Sequence, residues 1–124
     1  MITVIETNIL LTKKRNLDIY INNFDSNYKD KLEAIMPILI SWDYDKLERL
    51  FSREHPELKN LFEKILIQYV YFLILCCIFE NEYSINVPSK DVDKLWHCHL
   101  ILNKDYNLLT ININGEIITH EPNV

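Results

Sequence analysis

Glycine is almost absent from this sequence of 124 residues, which contains only Gly115. Phosphate-binding P-loops and dinucleotide-binding fingerprints need several glycines close together, so the chain cannot build either. A G-x-S-x-G nucleophile elbow is excluded for the same reason. Because prolines are also few, with four in the chain, the composition favours long helices over a turn-rich β fold.

Basic side chains are scarce in the second half of the chain. Residues 1–64 carry ten basic and eleven acidic side chains, whereas residues 65–124 carry three and seven. The net charge of -5 and the lack of a basic stripe argue against a nucleic-acid partner. By charge, the expected partner is a cation or another protein with a basic surface.

Cysteine and long apolar runs are limited too. Three cysteines, an odd number, argue against a disulfide framework and fit a reducing, cytoplasmic location. The N-terminal residues lack the basic region and the cleavage site of a secretory signal. The longest apolar run, residues 65–79, would rise about 22 Å as a helix, which is less than the roughly 30 Å of a hydrocarbon core. We therefore expect a buried helix and no membrane partner.

Hydrophobic periodicity predicts an all-α fold, a compact bundle of about five helices that forms a single domain over residues 1–124. Residues 28–42 show helical spacing, although Pro37 should kink or shorten that helix. Asp43 is the expected N-cap of the next helix. A central helix should follow from Pro56 to about Glu82, because it becomes apolar on all sides.

The last long helix is expected to begin after Ser89, which can cap it, and to run to about Leu109. Isoleucines then alternate around Asn114 and Gly115, a dipeptide that favours hairpin turns. The chain should therefore end in a short hairpin or in an extended tail folded over the bundle.

The most distinctive stretch is VDKLWHCHLIL, residues 92–102, within that last helix. At about 100° per residue, Trp96, His99 and Tyr106 fall on the core-facing side. His99 is therefore predicted to be a hydrogen-bonded core histidine, and the two aromatic residues to need partners for their polar atoms. Cys98 points away from both faces.

Two other polar residues of this helix share an adjoining face. Asp93 and His97 are four residues apart and can meet, whereas His97 and His99 lie about 160° apart and cannot chelate one metal. A third ligand would have to come from elsewhere, and His120 is the candidate. Asp93, His97 and His120 could thus hold a divalent transition metal such as zinc. The alternative is that the Asp93–His97 pair is only a polar contact at the surface.

The stretch PSKDVDKLWHCHLILNKDYNLL and the later NGEIITHEP together resemble the glycine-rich domain-containing protein-like family and its small bacterial relatives. The resemblance covers about residues 88–122 and rests on Val92, Asp93, Trp96, His97, Leu102, Tyr106, Gly115, Ile118, His120 and Pro122. It implies a helical domain, favours Asp93, His97 and His120 over His99 as a site, and places Gly115 at the family's turn. Thr119 stands where the family has the first histidine of a pair.

Three functions from different classes stay open. The first is a small non-enzymatic regulator that binds another protein, as an inhibitor or adaptor of an effector-type enzyme; delivery into a host cell is expected if the chain belongs to a pathogen. The second is a metal-binding module or metal-dependent hydrolase that uses the Asp93, His97 and His120 triad. The third is a structural subunit that forms a homodimer. No catalytic residue is assigned, and Trp96, His99, Tyr106, Gly115 and Pro122 are predicted to be structural or interaction residues.

Overall fold

A computed structural model describes residues 28–79 and 87–119 of the chain, which form five α-helices and no strand. In chain order the helices are α1 (Lys29–Ser41), α2 (Asp45–Glu54), a 3-10 helix (Pro56–Leu61), α3 (Phe62–Phe79), α4 (Lys90–Ile101) and α5 (Asn103–Asn114). The predicted all-α helical fold is confirmed. Residues 80–86 and 120–124 lie outside the described part, so the predictions for Glu82, His120 and Pro122 cannot be compared with it.

Helix α3 is the centre of the bundle, as predicted. Helices α1, α2 and α4 all pack against it, because its side chains are apolar around the whole circumference. Pro56 begins the segment, but the first turns, Pro56–Leu61, are 3-10 rather than α-helical. By length and composition Pro56–Phe79 could cross a bilayer, and 61% of its most apolar window is buried inside the protein.

Helix α1 runs through Pro37 from Lys29 to Ser41, so the proline does not shorten it. Pro37 and Glu33 both lie on the exposed face, where water can bond to the carbonyl that the proline leaves without a donor. At the start of α2, Asp43 Oδ1 accepts from the backbone N–H of Asp45 at 2.9 Å. The N-cap position itself is Tyr44, so the predicted cap was one residue too early.

The predicted single helix to Leu109 is wrong. Helix α4 ends at Ile101, and Leu102 has φ -83° and ψ 60°, outside the helical region. A new helix, α5, then continues to Asn114 and packs against both α4 and α1. No proline or glycine stands at this break, so the packing of α5 on α1, rather than a local breaker, accounts for it.

Gly115 ends α5 and does not form the turn of a hairpin, so that alternative was wrong. Its φ of 83° is left-handed, and its N–H donates to the Ile111 carbonyl at 2.8 Å, as glycine does when it terminates a helix. Residues 116–119 form no regular structure. Ile118 is buried, so this part of the tail packs on the bundle, as the other alternative predicted.

One buried apolar cluster joins all five helices. It includes Leu39 of α1, Phe51 of α2, Leu66 of α3, Leu95 of α4 and Leu109 of α5. A bundle held by one shared core positions α4 from several sides, and α4 carries both histidines of interest.

Candidate functional site

Helix α4 is held at its start and on three of its sides. The Ser89 hydroxyl accepts from the backbone N–H of Val92 at 3.1 Å, and Asp91 and Asp93 lie in the first turn near the positive end of the helix dipole. The predicted N-cap is therefore confirmed. Helices α2, α3 and α5 all pack on α4, and this also buries Cys98, which the helical spacing had placed away from the core.

The first pair on α4 is Asp93 with His97. Asp93 Oδ2 lies 3.3 Å from His97 Nε2, and both side chains are about half exposed, 42% and 58% respectively. The predicted contact is thus present, and it lies at the surface. Within residues 28–79 and 87–119, no three metal-binding side chains come together. His120, the predicted third ligand, lies outside the described residues, so the triad stays a prediction.

The second pair involves His99, which is fully buried as predicted. Its Nε2 lies 2.8 Å from Asp105 Oδ2, and its Nδ1 lies 2.6 Å from the Tyr69 hydroxyl. Trp42 Nε1 points at the same carboxylate, 3.3 Å from each oxygen. These four side chains come from α3, α4, α5 and the C-cap of α1. We call this set Tyr69–His99–Asp105–Trp42 the buried polar chain.

Proton positions in the buried polar chain follow from burial. Burial raises the pKa of Tyr69 well above its ordinary value of 10.0, so the phenol keeps its proton. An ionised carboxylate can only accept hydrogen bonds, so His99 Nε2 donates to Asp105. Burial by itself raises the pKa of Asp105, but the hydrogen bonds from His99 and Trp42 more than offset this and lower it below 3.8. Asp105 is therefore ionised at neutral pH.

A second hydrogen-bonded set ties the tail to α4. Trp96 Nε1 donates to the Tyr106 hydroxyl at 3.0 Å, and that hydroxyl donates to the Ile118 carbonyl at 2.5 Å. Trp96 also packs edge-on against Phe72 of α3, with ring centroids 4.7 Å apart. The predicted partners for the Trp96 and Tyr106 polar atoms are thus both found. Ile118 thus contacts Tyr106 of α5, and Tyr106 in turn contacts Trp96 of α4.

Sequence reasoning missed Tyr69, Asp105 and Trp42. On one straight helix, His99 and Asp105 would be about 9 Å apart along the axis and about 120° apart around it. The break at Leu102 brings them together. The only local signal was Asp105 itself, a carboxylate within a segment that was treated as continuous helix.

The buried polar chain has the order carboxylate, imidazole, hydroxyl that activates nucleophiles in hydrolytic enzymes. Here, however, the hydroxyl of Tyr69 and the ring of His99 are both 0% exposed. A substrate in solution cannot reach either atom in this arrangement. The buried polar chain therefore joins four helices by directional hydrogen bonds and supplies no accessible nucleophile.

Comparison with protein-family models, with curated proteins and with solved structures finds no match to this chain. The resemblance to the glycine-rich domain-containing protein-like family thus stays a prediction from the quoted residues.

Proposed function

We propose that this protein is a small non-enzymatic regulator that binds another protein and acts by occupying that protein's surface, as an inhibitor or adaptor. The observation that carries the proposal is a set of large aliphatic side chains left exposed near α5. These are Ile101 (65%), Leu108 (57%), Ile111 (46%) and Ile117 (42%), which we call the aliphatic face.

Two residues of the aliphatic face, Leu108 and Ile111, lie on the exposed side of α5. They are three residues apart and therefore neighbours on the helix surface. Ile101 is the last residue of α4, and Ile117 lies in the tail after α5. Single exposed aliphatic residues are ordinary, but a group of them is typical of an interaction surface. A protein partner with an apolar strip of its own would bury them.

Charge and burial in the rest of the molecule agree with this proposal. The histidine best placed for acid–base chemistry, His99, is buried and bonded on both nitrogens. The net charge of -5 favours a partner with a basic surface overall. The reducing, cytoplasmic location expected from the cysteines suits such a regulator.

The proposal is tested by recovering the partner from native lysate with the full chain and with Leu108→Glu. Gln68→Glu is the matched control, because it adds the same charge at an exposed position of α3, outside the aliphatic face. We expect one stoichiometric partner with the unmodified chain and with the control, and its loss with Leu108→Glu at an unchanged melting temperature.

Light scattering of the purified chain distinguishes the structural alternative. A dimer that becomes a monomer in Leu108→Glu would show that a second copy covers the aliphatic face, and would replace the regulator proposal with the homodimer. A stable monomer that recovers no partner would contradict both.

A second candidate function, a metal site, is favoured by the Asp93–His97 contact of 3.3 Å and by the position of Ile118 against Tyr106. A carboxylate beside an imidazole, with one more imidazole and water, is a donor set that suits zinc. The residues that would hold the ion are Asp93, His97 and His120.

Zinc titration of the untagged chain by calorimetry tests this candidate. We expect about one ion per chain, lost in His97→Gln and in His120→Gln. His55→Gln is the matched control, because His55 also lies beside a carboxylate, Glu57 at 3.7 Å. Absence of zinc binding, or binding equally weakened by the control, would contradict the site.

A further inference from the structure

A basic groove lies on the side of the bundle formed by α2, the 3-10 helix and the break between α4 and α5. Its volume is about 750 Å³, and it opens to solvent. The groove is lined by Lys46, Glu48, Arg49, Leu50, Ser52, Arg53, Lys59 and Leu102. Four of these eight side chains are cations, and two are leucines that supply an apolar floor.

The cations of the basic groove are arranged in a row. Lys46, Arg49 and Arg53 are spaced three and four residues apart on α2, so they share one face and span about 10 Å along the helix. Lys59 of the 3-10 helix lines the same groove. In the described part of the chain, none of these four side chains forms an ion pair.

The charge of the basic groove is opposite to that of the rest of the chain. Four cations and Glu48 give the groove a net charge of +3. Since the whole chain carries -5, the remainder carries -8. Cations at short spacing repel one another, so a ligand that supplies negative charge here lowers the energy of the protein.

We propose that the basic groove binds an acidic helical segment of the partner protein, with carboxylates spaced three and four residues apart around an apolar side chain. The carboxylates would pair with Arg49, Arg53 and Lys46, and the guanidinium groups can form bidentate hydrogen bonds with them. The apolar side chain would pack on Leu50 and Leu102. This inference rests on the proposed protein-binding function and names the chemistry of one part of the partner.

Two features favour a peptide over a nucleic acid. The described residues outside the groove carry a net negative charge, so they would repel a polyanion longer than the groove. The leucine floor has no counterpart in a phosphate backbone, whereas it matches an aliphatic or aromatic side chain.

The test uses a fluorescent helical peptide of about 14 residues with glutamates at positions i, i+3 and i+7 around a leucine. We expect saturable binding to the full chain that weakens as salt is raised. The matched control peptide has glutamine at each glutamate position and should bind about tenfold more weakly or worse, which is about 1.4 kcal/mol. Equal binding of the two peptides would overturn the proposal.

Variants of the protein locate the site. The double variant Arg49→Glu/Arg53→Glu should weaken peptide binding about tenfold or more. Lys64→Glu/Lys90→Glu makes the same charge change at exposed positions outside the groove, and should weaken it far less. Equal losses would mean that only net charge matters, which would overturn the groove. Tighter binding of a 12-nucleotide single-stranded DNA or of inorganic phosphate than of the peptide would also overturn it.

The outcomes separate this inference from the proposed function. If the lysate partner is lost with Leu108→Glu but retained with Arg49→Glu/Arg53→Glu, the protein-binding function stands and the acidic-segment inference fails. If both variants keep their melting temperature and both lose the partner, the two proposals stand together.

Discussion

Two aspartate–histidine pairs lie on or beside the same helix. They consist of the same residue types but differ in distance and in burial. Asp93 and His97 meet at 3.3 Å on the surface of α4, with both side chains about half exposed. His99 and Asp105 meet at 2.8 Å, with the imidazole fully buried. The two histidines are only two residues apart, so the helix itself points one outward and the other into the core.

The difference shows that burial, rather than the pairing of these residue types, sets what such a pair contributes. At the surface, water competes for both partners, and exposed ion pairs contribute about 0–1 kcal/mol. In the core, each polar atom must find a protein partner, because an unsatisfied buried group costs about 1–3 kcal/mol. The buried polar chain is therefore structural, whereas the surface pair is accessible to ligands.

The largest expected effect comes from Trp96, the aromatic residue next to His97 on α4. Trp96→Ala should lower the free energy of unfolding by about 3–5 kcal/mol, because it removes a packed ring and leaves the Tyr106 hydroxyl without the indole N–H. Urea denaturation measures this. His97→Ala, one residue away and exposed, is the control. A loss below about 1 kcal/mol in Trp96→Ala would contradict the buried position of the ring.

The next effect is expected at the centre of the buried polar chain. His99→Leu should lower the free energy of unfolding by about 2–4 kcal/mol, since the buried Tyr69 hydroxyl and the partly buried Asp105 carboxylate both lose a partner. The double variant Tyr69→Phe/His99→Leu also removes the Tyr69 hydroxyl, which is one of the two groups that lose a partner in His99→Leu. It should be less destabilised than the sum of the two single variants. Strict additivity would mean that the two side chains do not interact.

A smaller, pH-dependent effect is expected for Asp105→Asn. The pKa of Asp105 is lower in the folded protein than its ordinary 3.8, so the folded state favours the ionised carboxyl. Its contribution is therefore fully present above about pH 5 and is lost as the pH falls through the folded pKa.

We expect Asp105→Asn to lower the free energy of unfolding by about 1–2 kcal/mol at pH 7. The difference from the unmodified chain should shrink steadily below about pH 4. Urea denaturation at pH 7, 5, 4 and 3 provides the comparison. A difference that grew on acidification would mean that the folded protein favours the protonated carboxyl instead.

The smallest effect is expected at the surface pair. In metal-free buffer, Asp93→Asn should change the free energy of unfolding by less than about 1 kcal/mol, and 1 M salt should reduce even that difference. Thermal denaturation with a chelator present measures it. A loss of about 2 kcal/mol or more would show that the surface pair contributes as much as the buried pair. Burial would then not explain the difference between them.

Much of the fold could be predicted from local patterns. The cap at Ser89 and the all-round apolar helix α3 follow from side-chain type and helical spacing, and the structure agrees with both. His99 was placed in the core by the same reasoning. Gly115 was correctly singled out as a special backbone position, but helix termination and hairpin turns use the same left-handed conformation.

The partners of His99 could not be predicted in the same way. Tyr69 is 30 residues away along the chain, and Trp42 is 63 residues from Asp105. Such contacts depend on how whole helices pack. The basic groove is equally non-local, because it combines a row of cations on α2 with Lys59 and Leu102 from other elements.

Local sequence was enough to specify most of the helical segments and to place Trp96 and His99 on the core side of α4, because helical periodicity and capping act over three or four residues. The packing of the helices decided where α4 stops, and thereby which side chains meet His99. The reason is that α5 can bury its apolar side against α1 and α4 only if the chain turns at Leu102. A period of 3.6 residues carries no information about a turn of that kind.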